Sequence, residues 1–162
     1  MNTTLKMVSD FNTAFNIEQA DEEFPRFIDR DLETVEILEI VVEILQKTSH
    51  QLLKAIEAKN TNVTLLRSHL MIEELAEVLA SIAEGDMVSC LHELADLRYV
   101  CDGTAICFGL DNKLERAVSE VHKANLSKLD GAGKPIISAA GRVVKSENFV
   151  AVDVNHLFSK EN

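Results

Sequence analysis

Two short stretches concentrate carboxylates at spacings that could do chemistry. Glu73-Glu74-Leu75-Ala76-Glu77 reads E-E-x-x-E, and after fifteen intervening residues Glu93-Leu94-Ala95-Asp96 reads E-x-x-D. Residues three apart on a helix share a face, so each stretch presents a pair of acids in one direction. On a helical wheel, Met71, Ile72, Leu75, Val78, Leu79 and Ile82 form one broad apolar side, while Leu66 and Leu70 lead into Glu73, Glu74 and Glu77 on the other. The acids therefore extend an apolar stripe, where a carboxylate loses hydration and needs a cation or donor in return. A short turn at Gly85-Asp86 between two antiparallel helices would set Glu74, Glu77, Glu93 and Asp96 opposite one another. Four converging negative charges call for a hard divalent cation with oxygen ligands. Taken singly, each acid has an ordinary alternative, a solvated place on an amphipathic helix. A di-iron carboxylate site would use Glu-x-x-His on facing helices. His50, His69, His92 and His122 follow Lys47, Leu66, Ser89 and Ser119 at that spacing, and only Asp153 with His156 comes near it.

The elements that must carry these residues are helical. Leu5, Val8, Phe11 and Phe15 mark a first helix at roughly 3–15, ended at Asn16. Asp31 offers a cap for a long second helix at roughly 31–58, which could run whole or break near Ser49. Thr61 or Asn62 can cap the third helix and Gly85 can end it. Asp86 caps a fourth running to Phe108, and Leu91, Leu94, Leu97, Val100 and Ile106 mark this one as the central helix. Asn112 and Glu115 stand as a capping box for a fifth helix ending near Leu126. Beyond it Gly131, Gly133, Pro135 and Gly141 punctuate short β-branched runs, which predicts a small hairpin or an extended arm. The fold expected is all-α: about five helices in one domain over 1–162, with a helical core at about 3–129 and a C-terminal arm at about 130–162.

Composition narrows the partners. The 162 residues carry 27 acids against 16 bases, a formal charge of −11, with 46% hydrophobic residues and few Gly or Pro. Such a chain has material for a core and lacks the clustered Lys and Arg that nucleic-acid binding requires. Three cysteines without a CxxC pair suit a reducing compartment. No signal-peptide pattern opens the sequence, and no apolar run approaches the roughly 18 residues of a membrane span. The expectation is a cytoplasmic protein with no nucleic-acid or membrane partner.

With this acid pattern, the sequence resembles the all-α nucleoside triphosphate pyrophosphatases of the MazG-like and phosphoribosyl-ATP pyrophosphohydrolase-like group. Glu73-Glu74-Leu75-Ala76-Glu77 and Glu93-Leu94-Ala95-Asp96 match its acid motif. Val8 to Phe15 is similar to its opening helix, and Asp96-Leu97-Arg98-Tyr99-Val100 with Gly103-Thr104-Ala105 and Phe108-Gly109 to its central one. Glu120 to Leu129, then Gly133-Lys134-Pro135-Ile136, is similar to the segment ending the family core. The resemblance covers most of 7–15 and 62–146; the stretch 16–60 has no counterpart that matches residue by residue.

The resemblance implies a metal-dependent hydrolase that converts a (deoxy)nucleoside triphosphate to monophosphate and pyrophosphate. Glu74, Glu77, Glu93 and Asp96 would be ligands of Mg²⁺, with Mn²⁺ as a substitute, and Glu73 a further ligand or the base for the attacking water. Asn125 and Lys128 would bind nucleotide, although a lysine at a helix C-terminus also serves the helix dipole. Lys134 and Lys145 could reach the outer phosphates from the arm, or be surface lysines. Tyr99 would pack or hydrogen-bond near the site, or be a core tyrosine, and Phe11 and Phe15 could wall a base pocket or simply be core. The expected substrate is a purine such as dGTP, with dUTP, dCTP or a damaged nucleotide as alternatives. A homodimer or homotetramer is expected, because five helices offer too few partners for the apolar sides of the second, third and fourth. The rival from another class is a non-catalytic helical oligomerisation module.

Overall fold

The computed structural model describes residues 3–59 and 62–159. Its helices are α1 (Thr3–Ala14), α2 (Leu32–Lys59), α3 (Val63–Glu84), α4 (Met87–Cys107) and α5 (Asp111–Leu126), followed by a 3₁₀ turn at Asn155–Phe158. The described residues contain no strand beyond a single antiparallel bridge, Ile137 to Val143, so the fold is all-α. By their contacts they form two compact units: Ala20–Gly109, and the residues up to Gln19 together with those from Leu110 onward.

The Ala20–Gly109 unit holds α2, α3 and α4, and α3 is the helix in its middle, in contact with both others. Its inward residues are small or polar (Ala76, Ser81, Ala83 and His69, with Val78), which lets neighbouring backbones approach. The expectation of a central α4 is corrected here: within this unit α4 meets α3 alone. Only Cys90, Val100 and Ala105 of α4 are buried, whereas Val88, Leu91, Leu94 and Ile106 are exposed. Hydrophobicity all round a helix predicts burial, but it does not say whether the burying partner lies in the same chain.

The helix ends follow the sequence signals. The Asp31 carboxylate accepts from Thr34 N at 2.8 Å, and α2 then runs through Ser49 without a break, because the Ser49 side chain turns inward and is buried. The Asn62 side chain accepts from Leu65 N at 3.0 Å; Thr61, the other cap considered, lies outside the described residues. Gly85 closes α3 at φ +78, a left-handed conformation that costs a residue with a Cβ. The Arg30 guanidinium lies against it, its Nε donating to Ile82 O at 2.8 Å. One residue on, Asp86 accepts from Val88 N and Ser89 N at 3.0 and 3.1 Å and starts α4. Farther along, Arg67 of α3 donates to Thr104 Oγ1 at 3.1 Å and to Val100 O, and it lies so close to Gly103 that a Cβ there would sit 2.9 Å from a guanidinium nitrogen.

The other unit packs α1 on α5 and the 3₁₀ turn on α5. Phe15 is fully buried and stacks on Phe11 at a centroid distance of 4.3 Å. Helix α5 begins without the expected capping box. No side chain caps its start; Asn112 Oδ1 accepts from Lys113 Nζ, and Glu115 accepts from Thr4 Oγ1. After α5 the chain forms a minimal hairpin in which Ser138 N donates to Arg142 O and Val144 N to Ile136 O. Ser146 Oγ ties this arm back to Leu129 O at 2.8 Å.

Candidate functional site

The Gly85-Asp86 turn folds α4 back along α3, and the acids of the two helices meet. Single carboxylate oxygens of Glu74, Glu77 and Glu93 lie within 4.8 Å of one another. A second group of the same dimension joins Glu93 to Asp96 and His92. Glu93 belongs to both, and its side chain is only 16% exposed. His92 bridges the second group, with Nδ1 2.9 Å from Glu93 Oε1 and Nε2 3.2 Å from Asp96 Oδ2.

The electrostatics record the crowding. Partial burial raises the Glu74 carboxyl above its ordinary range, and the charges of Asp96, Glu73 and Glu93 push it further. Glu77 is raised in the same way, first by lost hydration and then by Glu93 and Glu74. Crowding that disfavours two carboxylate charges is a cost of the fold that a bound cation would offset. The His92 imidazole responds oppositely: its hydrogen bond to Glu93 and the negative charges of Asp96 and Glu93 favour the protonated ring. His92 is the functional candidate that sequence reasoning missed. Its signal was present, one residue before Glu93 and four before Asp96.

Glu73 points elsewhere. Its Oε2 is 3.7 Å from His69 Nε2, and on the other side of that buried ring Nδ1 is hydrogen-bonded to Ser49 Oγ at 2.8 Å. Tyr99 is 79% exposed, so the core reading of it is corrected. Among the described residues its ring stacks on no other aromatic. Asn125 and Lys128, in the unit of α5, do come together, Nζ donating to Asn125 Oδ1 at 2.8 Å. Lys134 is exposed on the arm, and Lys145 Nζ lies 4.3 Å from the centroid of the Phe149 ring. Phe11 lines a cavity with Asn12, His122 and Asn125, whereas the buried Phe15 is core.

The sequence over residues 42–125, just over half of the chain, matches the family model described as phosphoribosyl-ATP pyrophosphohydrolase. The chain belongs to the phosphoribosyl-ATP pyrophosphohydrolase family. Members of this family hydrolyse phosphoanhydride bonds, and the chain is a hydrolase of that class. The matched span holds α3, α4 and all five acids. No curated protein matches the chain. Its fold is similar to the crystal structure of a candidate NTP pyrophosphohydrolase from Exiguobacterium sp. 255-15, at 21% identity and a TM-score of 0.50, over 93% of this chain and 89% of that one.

Proposed function

We propose that this family member is a metal-dependent nucleoside triphosphate pyrophosphohydrolase, with a purine deoxynucleotide such as dGTP as preferred substrate, and that its site is the α3–α4 acid cluster. The observation that carries this reading is Glu93, a carboxylate shared between the Glu74–Glu77 group and the His92–Asp96 group. The donor set fits a hard cation. Carboxylate oxygens predominate, they stand close enough to share an ion, and His92 adds an imidazole nitrogen to the group of Glu93 and Asp96.

Glu74, Glu77, Glu93 and Asp96 would hold Mg²⁺, or Mn²⁺ in its place. When bound, such an ion polarises a phosphoryl oxygen and neutralises the charge of departing pyrophosphate. Glu73 stands outside both carboxylate groups and is the carboxylate left to take the proton of the attacking water at Oε2. The buried Ser49–His69 pair on its flank holds that side of α3 in register. Asn125, Lys128, Lys134, Lys145 and Tyr99 remain the proposed nucleotide contacts, with Lys128 pre-positioned by Asn125.

We also propose assembly as a homodimer or homotetramer. Ile37, Ile40, Val41 and Ile44 line an exposed apolar stripe on α2, and Val88, Leu91, Leu94 and Ile106 leave α4 uncovered. Burying such surface is favourable by about 25 cal/mol per Å², and a two-fold copy is the commonest partner.

The test is pyrophosphate release from a panel of ribo- and deoxynucleoside triphosphates, with Mg²⁺ and with EDTA. Release that needs Mg²⁺ is expected, fastest with a purine deoxynucleotide. Equal release in EDTA would refute the metal site, and no release from any nucleotide would refute the substrate class.

A further inference from the structure

A cavity of about 260 Å³ lies between α2 and α3, beside the acid cluster. Gln46, Ser49 and His50 of α2 face His69, Glu73 and Glu77 of α3 across it. Glu77 is common to this wall and to the Glu74–Glu77–Glu93 group. The volume falls just below the range of about 300–1,000 Å³ typical of sites for drug-sized ligands. It suits a heterocyclic base with part of a sugar, not a whole triphosphate.

The chemistry of the walls is that of base recognition. Leu53 and Ala76 supply apolar contact for ring faces. The Ser49 hydroxyl and His69 Nδ1 occupy each other at 2.8 Å and form a fixed floor. Gln46 and His50 stand one turn apart on α2 and have no side-chain hydrogen bond among the described residues, so an amide and an imidazole are free to meet the edge of a base. All the α2 residues involved lie within residues 42–125, the span that matches the family model.

We infer that the α2–α3 cavity is the nucleobase subsite and that Gln46 and His50 determine which base it accepts. This rests on the proposed nucleotide hydrolysis at the adjoining acids. A base seated here brings its phosphates to the Glu77 edge of the cavity, where the acid cluster begins.

Binding can be separated from turnover with α,β-imido deoxynucleoside triphosphates carrying each of the four bases, titrated calorimetrically with Mg²⁺ against the full-length chain, Gln46→Ala and His50→Ala. Both side chains are solvent-exposed, so the variants should melt like the wild type. Wild-type protein should prefer one base. Each variant should lose about tenfold in affinity for that base and less than about twofold for the others. Should Gln46→Ala disturb the fold, His50→Ala and Gln46→Asn, which retains the amide one methylene shorter, give the same reading. Wild-type preference retained in both variants, equal losses for every base, or no binding by the wild type would each overturn the assignment. Base-selective binding that the variants abolish, with no turnover of any natural triphosphate, would leave the subsite standing and overturn the hydrolytic reading instead.

Discussion

Replacing Glu77 by Gln should stabilise the metal-free protein while removing its response to Mg²⁺. Glu77 has two acidic neighbours, Glu74 and Glu93, with oxygens inside 4.8 Å. At that separation two unit charges in a water-like dielectric repel by about 1 kcal/mol, the appropriate limit for a glutamate that reaches solvent. Salt at physiological strength roughly halves this. Two such pairs leave about 1 kcal/mol to be gained by the neutral amide, or about 2–4 °C in melting temperature for a chain of this size. The pH dependence has a definite sign. The Glu77 carboxyl is raised above its ordinary 4.5 in the fold, so its contribution to stability is fully present in acid and is lost as pH rises through the raised value. The difference between variant and wild type should therefore open above the ordinary glutamate range and close below it. Mg²⁺ at a hundredfold excess over its dissociation constant adds about 2.7 kcal/mol to a protein that binds it only when folded. The wild type should gain about 5–10 °C and the variant much less. Differential scanning fluorimetry in EDTA and in Mg²⁺, from about pH 3 to about pH 8, spans the ordinary carboxylate values and the neutral range and reads all of this. A variant that melts below the wild type in EDTA at neutral pH, or that keeps the full Mg²⁺ shift, would show the reasoning to be wrong.

Other perturbations test separate parts of the structure. Glu74→Gln and Asp96→Asn should each abolish hydrolysis with the helical circular dichroism unchanged; near-normal turnover in either would remove that residue from the site. His69→Ala leaves the buried Ser49 hydroxyl without its partner and should cost about 1–3 kcal/mol in urea unfolding. Gly85→Ala places a Cβ 3.0 Å from the Arg30 guanidinium carbon at φ +78, and should cost about 1–2 kcal/mol in the same assay. Sedimentation equilibrium at micromolar concentration should find a dimer or tetramer; a fully active species of 18.0 kDa would refute obligate assembly.

The boundaries of α2, α3 and α4 were legible because local chemistry sets them: Asp31, Asn62 and Asp86 cap their own helices, and Gly85 supplies the left-handed turn. The acid cluster was legible for a related reason, since i, i+3 spacing on two helices joined by a two-residue turn leaves little freedom in where the carboxylates go. What depended on packing was not. Apolar residues all round α4 suggested the centre of a bundle, yet α3 is the middle helix of its unit, because small residues such as Ala76 and Ala83 decide how closely helices approach. Of the two courses open at Ser49 the helix runs whole, because a helical serine can turn its hydroxyl inward when a buried histidine waits for it. His92 does not fit a Glu-x-x-His pattern, because here the ring precedes its acids. The Asn112–Glu115 box did not form because α5 starts at Asp111, which leaves Asn112 inside the first turn.

The most direct test is a short reaction in ¹⁸O-labelled water with Mg²⁺ and the triphosphate that the panel prefers, its products separated and weighed by mass spectrometry. If the acid cluster acts at the α-phosphate, monophosphate and pyrophosphate appear in equal amounts, the label sits in the monophosphate, and Glu74→Gln yields neither. Diphosphate with labelled orthophosphate, or label in the pyrophosphate, would contradict the account.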